Sequence, residues 1–280
     1  MSAPRLPTWF LSHGGGPWPW MDEMRPIMAG LESSLRALSA TLPQRPRAVL
    51  LISGHWEKPA FTVMSHARPP MLYDYYGFPP HTYRVSYPAP GSPDLATEVR
   101  DLIAAAGLPA GGDETRGFDH GAFVPMAIMW PNADMPIVQL SLRVGLDPAT
   151  HLALGRALAP LRDSGVLIVG SGLSWHNLRM LGPDARAPSR AFDDWLQQTL
   201  VASSPAERET RLLRWREAPS ARIAHPREEH LLPLMVAVGA AHDDAGDCPY
   251  READVFGGVV VSSFRFGAAP NGATALEQIA

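Results

Sequence analysis

The sequence predicts an α/β protein: a central, mostly parallel or mixed sheet covered by helices on both faces. Three observations predict it. Short β-type runs that end in glycine or small polar residues alternate with amphipathic helical stretches. Several of those runs are apolar nearly throughout, as strands covered on both faces should be. The chain has 280 residues, 46% of them hydrophobic, enough to bury roughly three quarters of the surface its unfolded form exposes.

The first strand is expected at Thr8–Ser12, running into Gly14-Gly15-Gly16. The next are Ala48–Ser53, apolar up to Gly54, and an additional strand at Ala60–Ser65. Pro136–Leu142, Val166–Gly170 and Gly258–Phe264 complete the set. Helices are expected at Met24–Ser39, Pro93–Ala106, Pro148–Asp163, Ser189–Ala202 and Glu228–Ala241. In the second of these, Leu95, Val99, Leu102 and Ile103 fall at helical spacing and Gly107 is a natural stop. Arg68–Pro93 is rich in proline and tyrosine and reads as an ordered loop of the kind that walls a pocket or forms a lid. With no internal repeat and no shift in composition, one domain over residues 1–280 is expected.

Twenty-four basic side chains against 28 acidic ones give a formal charge of -4, which offers no electrostatic reason to expect a nucleic acid or an acidic membrane as partner. Only Lys58 among the basic residues is a lysine, and the arginines are dispersed. Cys248 is the sole cysteine, so an internal disulfide, a cysteine-based zinc site and an iron–sulfur cluster are all excluded. A reducing, cytoplasmic setting is the expectation, since the first ten residues lack a signal-peptide pattern and no apolar run approaches about 18 residues.

The ten histidines carry the functional signal through their placement. His13 follows the first strand in Ser12-His13-Gly14-Gly15-Gly16-Pro17, His55 follows the second in Ser53-Gly54-His55-Trp56, and His176 follows Ser171-Gly172-Leu173-Ser174-Trp175. Parallel strands share one C-terminal edge, so these three imidazoles are expected to converge. His120 lies in a turn between Gly117 and Gly121, and His230 opens an apolar helix in Glu229-His230-Leu231-Leu232-Pro233-Leu234. Imidazole is the commonest transition-metal ligand, and here no thiolate cluster competes for the role. His66, His81, His151 and His242 lack such punctuation and read as structural or surface residues, and His225 stands behind the site next to Pro226. The triple glycine lacks the spacing of a phosphate loop.

These motifs, with Tyr87-Pro88-Ala89-Pro90-Gly91-Ser92-Pro93, Gly117-Phe118-Asp119-His120-Gly121 and Ser171-Gly172-x-x-x-His176-Asn177-Leu178 in the same order, closely resemble the DOPA-dioxygenase-type branch of the class III extradiol ring-cleaving dioxygenases. That superfamily includes the catalytic subunit of protocatechuate 4,5-dioxygenase, and the likeness runs from about residue 8 to residue 264. The resemblance implies a mononuclear metal at the strand ends, Fe(II) for activity with Zn(II) as a possible occupant, and a catechol and O2 as reactants. It implies His13, His55 and His230 as metal ligands, His176 as the acid/base histidine and His120 as a contact to substrate or dioxygen. The wider superfamily uses two histidines and a carboxylate, so Glu229 competes with His230 for the third position, and His176 is a further candidate ligand.

Trp18, Trp20, Trp56, Trp175 and the tyrosines from Tyr73 to Tyr87 are either a wall for an aromatic ring or core. Arg143, after a strand end, is the candidate partner for a substrate carboxylate. Two rival readings are a zinc hydrolase built on the same histidines and a non-catalytic relative that keeps the fold for binding. Intact metal-binding residues oppose the second. Whether the chain self-associates is open.

Overall fold

A computed structural model describes residues 4–267; the ends of the expected 1–280 domain lie outside the described residues. Eight strands form one mixed sheet in the order β4-β3-β5-β2-β6-β1-β8-β7. They are β1 (Thr8–Ser12), β2 (Ala48–Lys58), β3 (Phe61–Met64), β4 (Ala110–Asp113), β5 (Ile137–Arg143), β6 (Val166–Gly172), β7 (Gly246–Val255) and β8 (Val259–Phe266). The central strands β5, β2, β6 and β1 run parallel, whereas β8 joins β1 antiparallel and β7 joins β8 antiparallel. All six expected strands are present within a few residues of their expected bounds. Two are additional, the four-residue β4 and the polar β7, and both lie at the sheet edges.

Among the described residues, eight α-helices surround the sheet: α1 (Ala29–Ala40), α2 (Pro93–Ala105), α3 (His120–Met129), α4 (Pro148–Leu158), α5 (Arg186–Gln197), α6 (Pro205–Leu213), α7 (Ala221–Ala224) and α8 (Leu232–Ala241). The helix expected from Met24 begins at Ala29, after a series of turns. Side chains along β6 show how both faces are covered. A Cβ at Gly170 would press on Pro233 of α8, while the next residue, Ser171, donates its hydroxyl proton to the carbonyl of Gly121 in α3 at 2.5 Å. Consecutive strand residues point to opposite faces, so α8 and α3 sandwich the sheet. Both helices are almost wholly buried, and β1, β6 and most of β2 and β5 are buried between them.

Candidate metal centre

Strand direction explains the meeting of the histidines. In β2 the ladder to β6 ends at Ser53–Ser171, and the ladder to β5 breaks after Ile52 and resumes at Glu57. A break of this kind bends the strand and re-aims side chains, and His55 lies inside it. His13 leaves β1 with its amide donating to the carbonyl of Gly172 at 3.0 Å. Trp18 donates its indole proton to the carbonyl of His13 at 2.9 Å, which fixes this exit from the other side. His230 lies two residues before α8 rather than within it. Its carbonyl accepts from the Leu173 amide at 3.1 Å, so the turn is stitched to the end of β6. A side chain on Gly172 would overlap that carbonyl, and only glycine permits the approach.

Nε2 of His55 lies 3.1 Å from Nε2 of His13 and 3.1 Å from Nε2 of His230. Their outer nitrogens decide where the protons are. Ser171 has given its hydroxyl proton to Gly121, so at 2.9 Å from Nδ1 of His13 its oxygen accepts, and Nδ1 carries the hydrogen. Nδ1 of His230 donates to Glu229 Oε1 at 3.0 Å, and Nδ1 of His55 faces Asp74 Oδ2 at 3.4 Å. A neutral imidazole protonated on Nδ1 presents a lone pair on Nε2, so the Nε2 atoms of His13 and His230 each face that of His55 at 3.1 Å with no proton between them. That arrangement is repulsive without a cation between them. The spacing suits nitrogens each about 2.1 Å from one shared ion, and these three residues can together hold a metal.

Electrostatics agree. Burial, reinforced by the neighbouring imidazoles, holds His13 and His230 well below the ordinary histidine range. Burial and the nearby His120 bring His55 down to about 4. All three are therefore neutral near pH 7, the form a metal requires. Burial pushes the carboxylate of Asp74 up, but hydrogen bonds from His120 outweigh it and bring the group down to about 2. Glu229 is likewise held low by the bond from His176 against the opposing effect of burial.

The other two histidines flank this triad. His176 stacks on His230 with ring centroids 3.4 Å apart, and His120 lies 4.0 Å from His55 by the same measure. All five sequence-selected histidines thus come together. His120 is the first residue of α3, capped by Asp119, and does not sit in a free turn. Glu229 contacts the outer nitrogen of His230, away from the point of convergence. Arg143 donates from Nε to the carbonyl of Pro59 at 3.3 Å, so its recorded bond runs along the strand edge rather than to the histidines. Trp18, Trp56 and Trp175 are buried and belong to the framework. The aromatic ring nearest the imidazoles is instead Tyr75, edge-on to His120 at 5.8 Å and backed by the fully buried Phe123, which meets both Tyr75 and Trp20. Phe78 closes over Gly16. Nothing in the sequence gave Ser171 a role beyond its place in the motif before His176, and the signal for Asp74 is an acidic residue amid a run of aromatic ones.

Residues 7–262 match the family described as the catalytic LigB subunit of aromatic ring-opening dioxygenase. The chain belongs to this family. Members are extradiol ring-opening dioxygenases, oxidoreductases that incorporate O2, so the catalytic class is that of an enzyme acting on an aromatic diol. A 4,5-DOPA dioxygenase extradiol of Beta vulgaris is 42% identical over 245 residues, covering 85% of this chain and 88% of the relative. Dioxygenase tasH of Hapsidospora irregularis is 40% identical over 264 residues, covering 85% and 79%. A crystal structure of an uncharacterized protein from Escherichia coli K12 superposes with a TM-score of 0.76 at 31% identity, covering 94% of this chain and all of that one. Among the described residues of this LigB-family chain, no helix is long and apolar enough to cross a membrane.

Proposed function

We propose that this chain, as one catalytic domain over residues 1–280, opens the ring of a catechol of the DOPA type beside its diol, using a single non-haem Fe(II) held by His13, His55 and His230. The observation that carries the reading is the convergence of three Nε2 lone pairs. Three neutral nitrogens suit Fe(II) and also admit Zn(II). When bound, the Fe(II) brings catechol and dioxygen together and passes electron density between them.

The chain's own residues do the rest. Nδ1 of His176 donates to Glu229 at 2.9 Å, which leaves Nε2 free to take a proton from a catechol hydroxyl and return it later. His120 is held in the same way through Asp74 at 2.8 Å, its ring 4.0 Å from that of His55, and once protonated on Nε2 it donates a hydrogen bond to developing negative charge. Tyr75, Phe78 and Trp20, backed by the buried Phe123, form the apolar wall against which an aromatic ring lies, and their packing keeps bulk water from the reacting atoms. The lone Cys248 fits a reducing, cytoplasmic setting.

The test of the substrate is anaerobic loading with Fe(II) followed by visible spectra over L-DOPA, protocatechuate and catechol. A yellow ring-opened product formed fastest from L-DOPA is expected. Faster turnover of protocatechuate would replace the DOPA assignment, and ester hydrolysis by zinc-loaded protein without oxygen uptake would replace the reaction.

A further inference from the structure

Two carboxylates bracket the imidazole cluster, and each is shared. Asp74 Oδ1 accepts from the backbone amide of His120 at 3.0 Å and from its Nδ1 at 2.8 Å, while Oδ2 faces Nδ1 of His55 at 3.4 Å. Glu229 Oε1 accepts from Nδ1 of His230 at 3.0 Å and lies 2.9 Å from Nδ1 of His176. Each carboxylate therefore lies against the outer nitrogen of one histidine of the converging triad and one of the flanking pair, hydrogen-bonding His120 and His230 and approaching His55 at 3.4 Å and His176 at 2.9 Å. The two come from unrelated segments, Asp74 from the aromatic loop and Glu229 from the turn before α8.

We propose that Asp74 and Glu229 are a matched pair of positioning residues, each locking one metal-facing and one proton-handling imidazole so that all four Nε2 atoms address the same space. This rests on the ligand and proton roles proposed above and adds what enforces them. An imidazole is free to exchange its two neutral tautomers unless one nitrogen is engaged. A carboxylate accepts and never donates when ionised, so it can be satisfied only by the Nδ1–H form of both partners. At Asp74, whose two oxygens face different rings, an amide offers an N–H to one of them, and that imidazole must then accept at Nδ1 and turn its own N–H inward; at Glu229, where both rings meet Oε1, an amide removes the charge that holds their Nδ1–H groups. Such a tautomer error preserves geometry and removes function, as an Asp→Asn change does in a Ser-His-Asp triad.

Asp74 also reaches the pocket wall. It sits between Tyr73 and Tyr75, whose hydroxyls donate to the carbonyls of Val85 and Thr82 at 2.7 Å each, and the amide of Leu72 donates to the carbonyl of Phe118 at 2.8 Å. The loop that walls the substrate is thereby tied to the metal-facing His55 through one side chain.

The test uses full-length protein with Asp74→Asn, Glu229→Gln and the charge-keeping Asp74→Glu. Calorimetric binding of Zn(II) and the visible spectrum of the Co(II)-loaded protein are followed beside oxygen uptake by the Fe(II) form. Carboxylates that orient metal-binding histidines typically contribute 10–100-fold to affinity. Asp74→Asn and Glu229→Gln should each weaken Zn(II) by that range, alter the Co(II) bands, and lower kcat more than they raise KM. Asp74→Glu should recover part of both. Unchanged affinity and spectra in the two amide variants would overturn the pairing, and because they lie on separate segments either one that folds decides it. The metal measurements involve no substrate, so a wild-type protein that binds Zn(II) tightly but consumes no oxygen would overturn the proposed reaction alone.

Discussion

Ser171 settles which nitrogen of His13 faces the cluster, because its hydroxyl proton is committed to Gly121 and only its lone pair remains for Nδ1. Ser171→Ala should leave the fold intact and weaken Zn(II) binding by about 10-fold or more, measured by competition with a chelating dye. His176→Ala should retain most of the metal and lose turnover by roughly 100-fold or more; parallel loss of metal would show that His176 is a ligand. At this scale the sequence was informative about the histidines, because imidazoles beside glycine punctuation and strand exits are conspicuous. It was silent about Asp74 and about the role of Ser171, which stands in a motif there without a task; the importance of both lies in where a proton is pointed. Ser171 is one of several small polar residues in its strand, and nothing in the local pattern marks Asp74 as facing two imidazoles.

At the level of elements, burial decides what can be read. The strand runs were legible because they are apolar and bounded by breakers. Helix α3 was not, since nine of its ten residues are buried and it contains Pro125, so no amphipathic period marks it. Strand β7 was hidden for the opposite reason, being a polar edge strand that includes Pro249. His151 of α4, read as structural or surface, is fully buried. Its Nδ1–H donates to the carbonyl of Asp147 at 2.7 Å, and Nε2 accepts from the amide of Arg143 at 3.3 Å. Both bonds require the neutral ring, and burial lowers its pKa to about 4. The unfolded chain, with an ordinary histidine near 6.5, then binds the proton more readily. The stability contributed by keeping the ring neutral is therefore present above about pH 6.5 and declines as pH falls toward 4, by about 3 kcal/mol in all. His151→Gln should flatten the pH dependence of urea melts between pH 7 and pH 5; an unchanged slope would remove His151 from that account. Gly172→Ala, at the contact between β6 and the His230 turn, should cost about 1–3 kcal/mol by overpacking, read from the melting midpoint, and should weaken metal retention by displacing His230.

Across the whole molecule, the parallel run of β5, β2, β6 and β1 brings residues from positions 13, 55 and 176 to one edge, and the chain after α7 returns to add His230. Parallel-sheet topology foretold the first convergence. The return of His230 was legible only through the family resemblance, because no local pattern specifies which late turn packs over the strand ends. The LigB-family fold thus brings three imidazoles together in a group able to hold a metal ion, with two more beside them to which the proposed reaction gives the handling of protons. The most direct test is oxygen uptake with L-DOPA by anaerobically Fe(II)-loaded wild type and His55→Ala, with iron content measured in both. The account predicts one iron per wild-type chain and uptake matched to ring-opened product, with both lost in His55→Ala. Stoichiometric iron without uptake, or equal uptake in the variant, would contradict it.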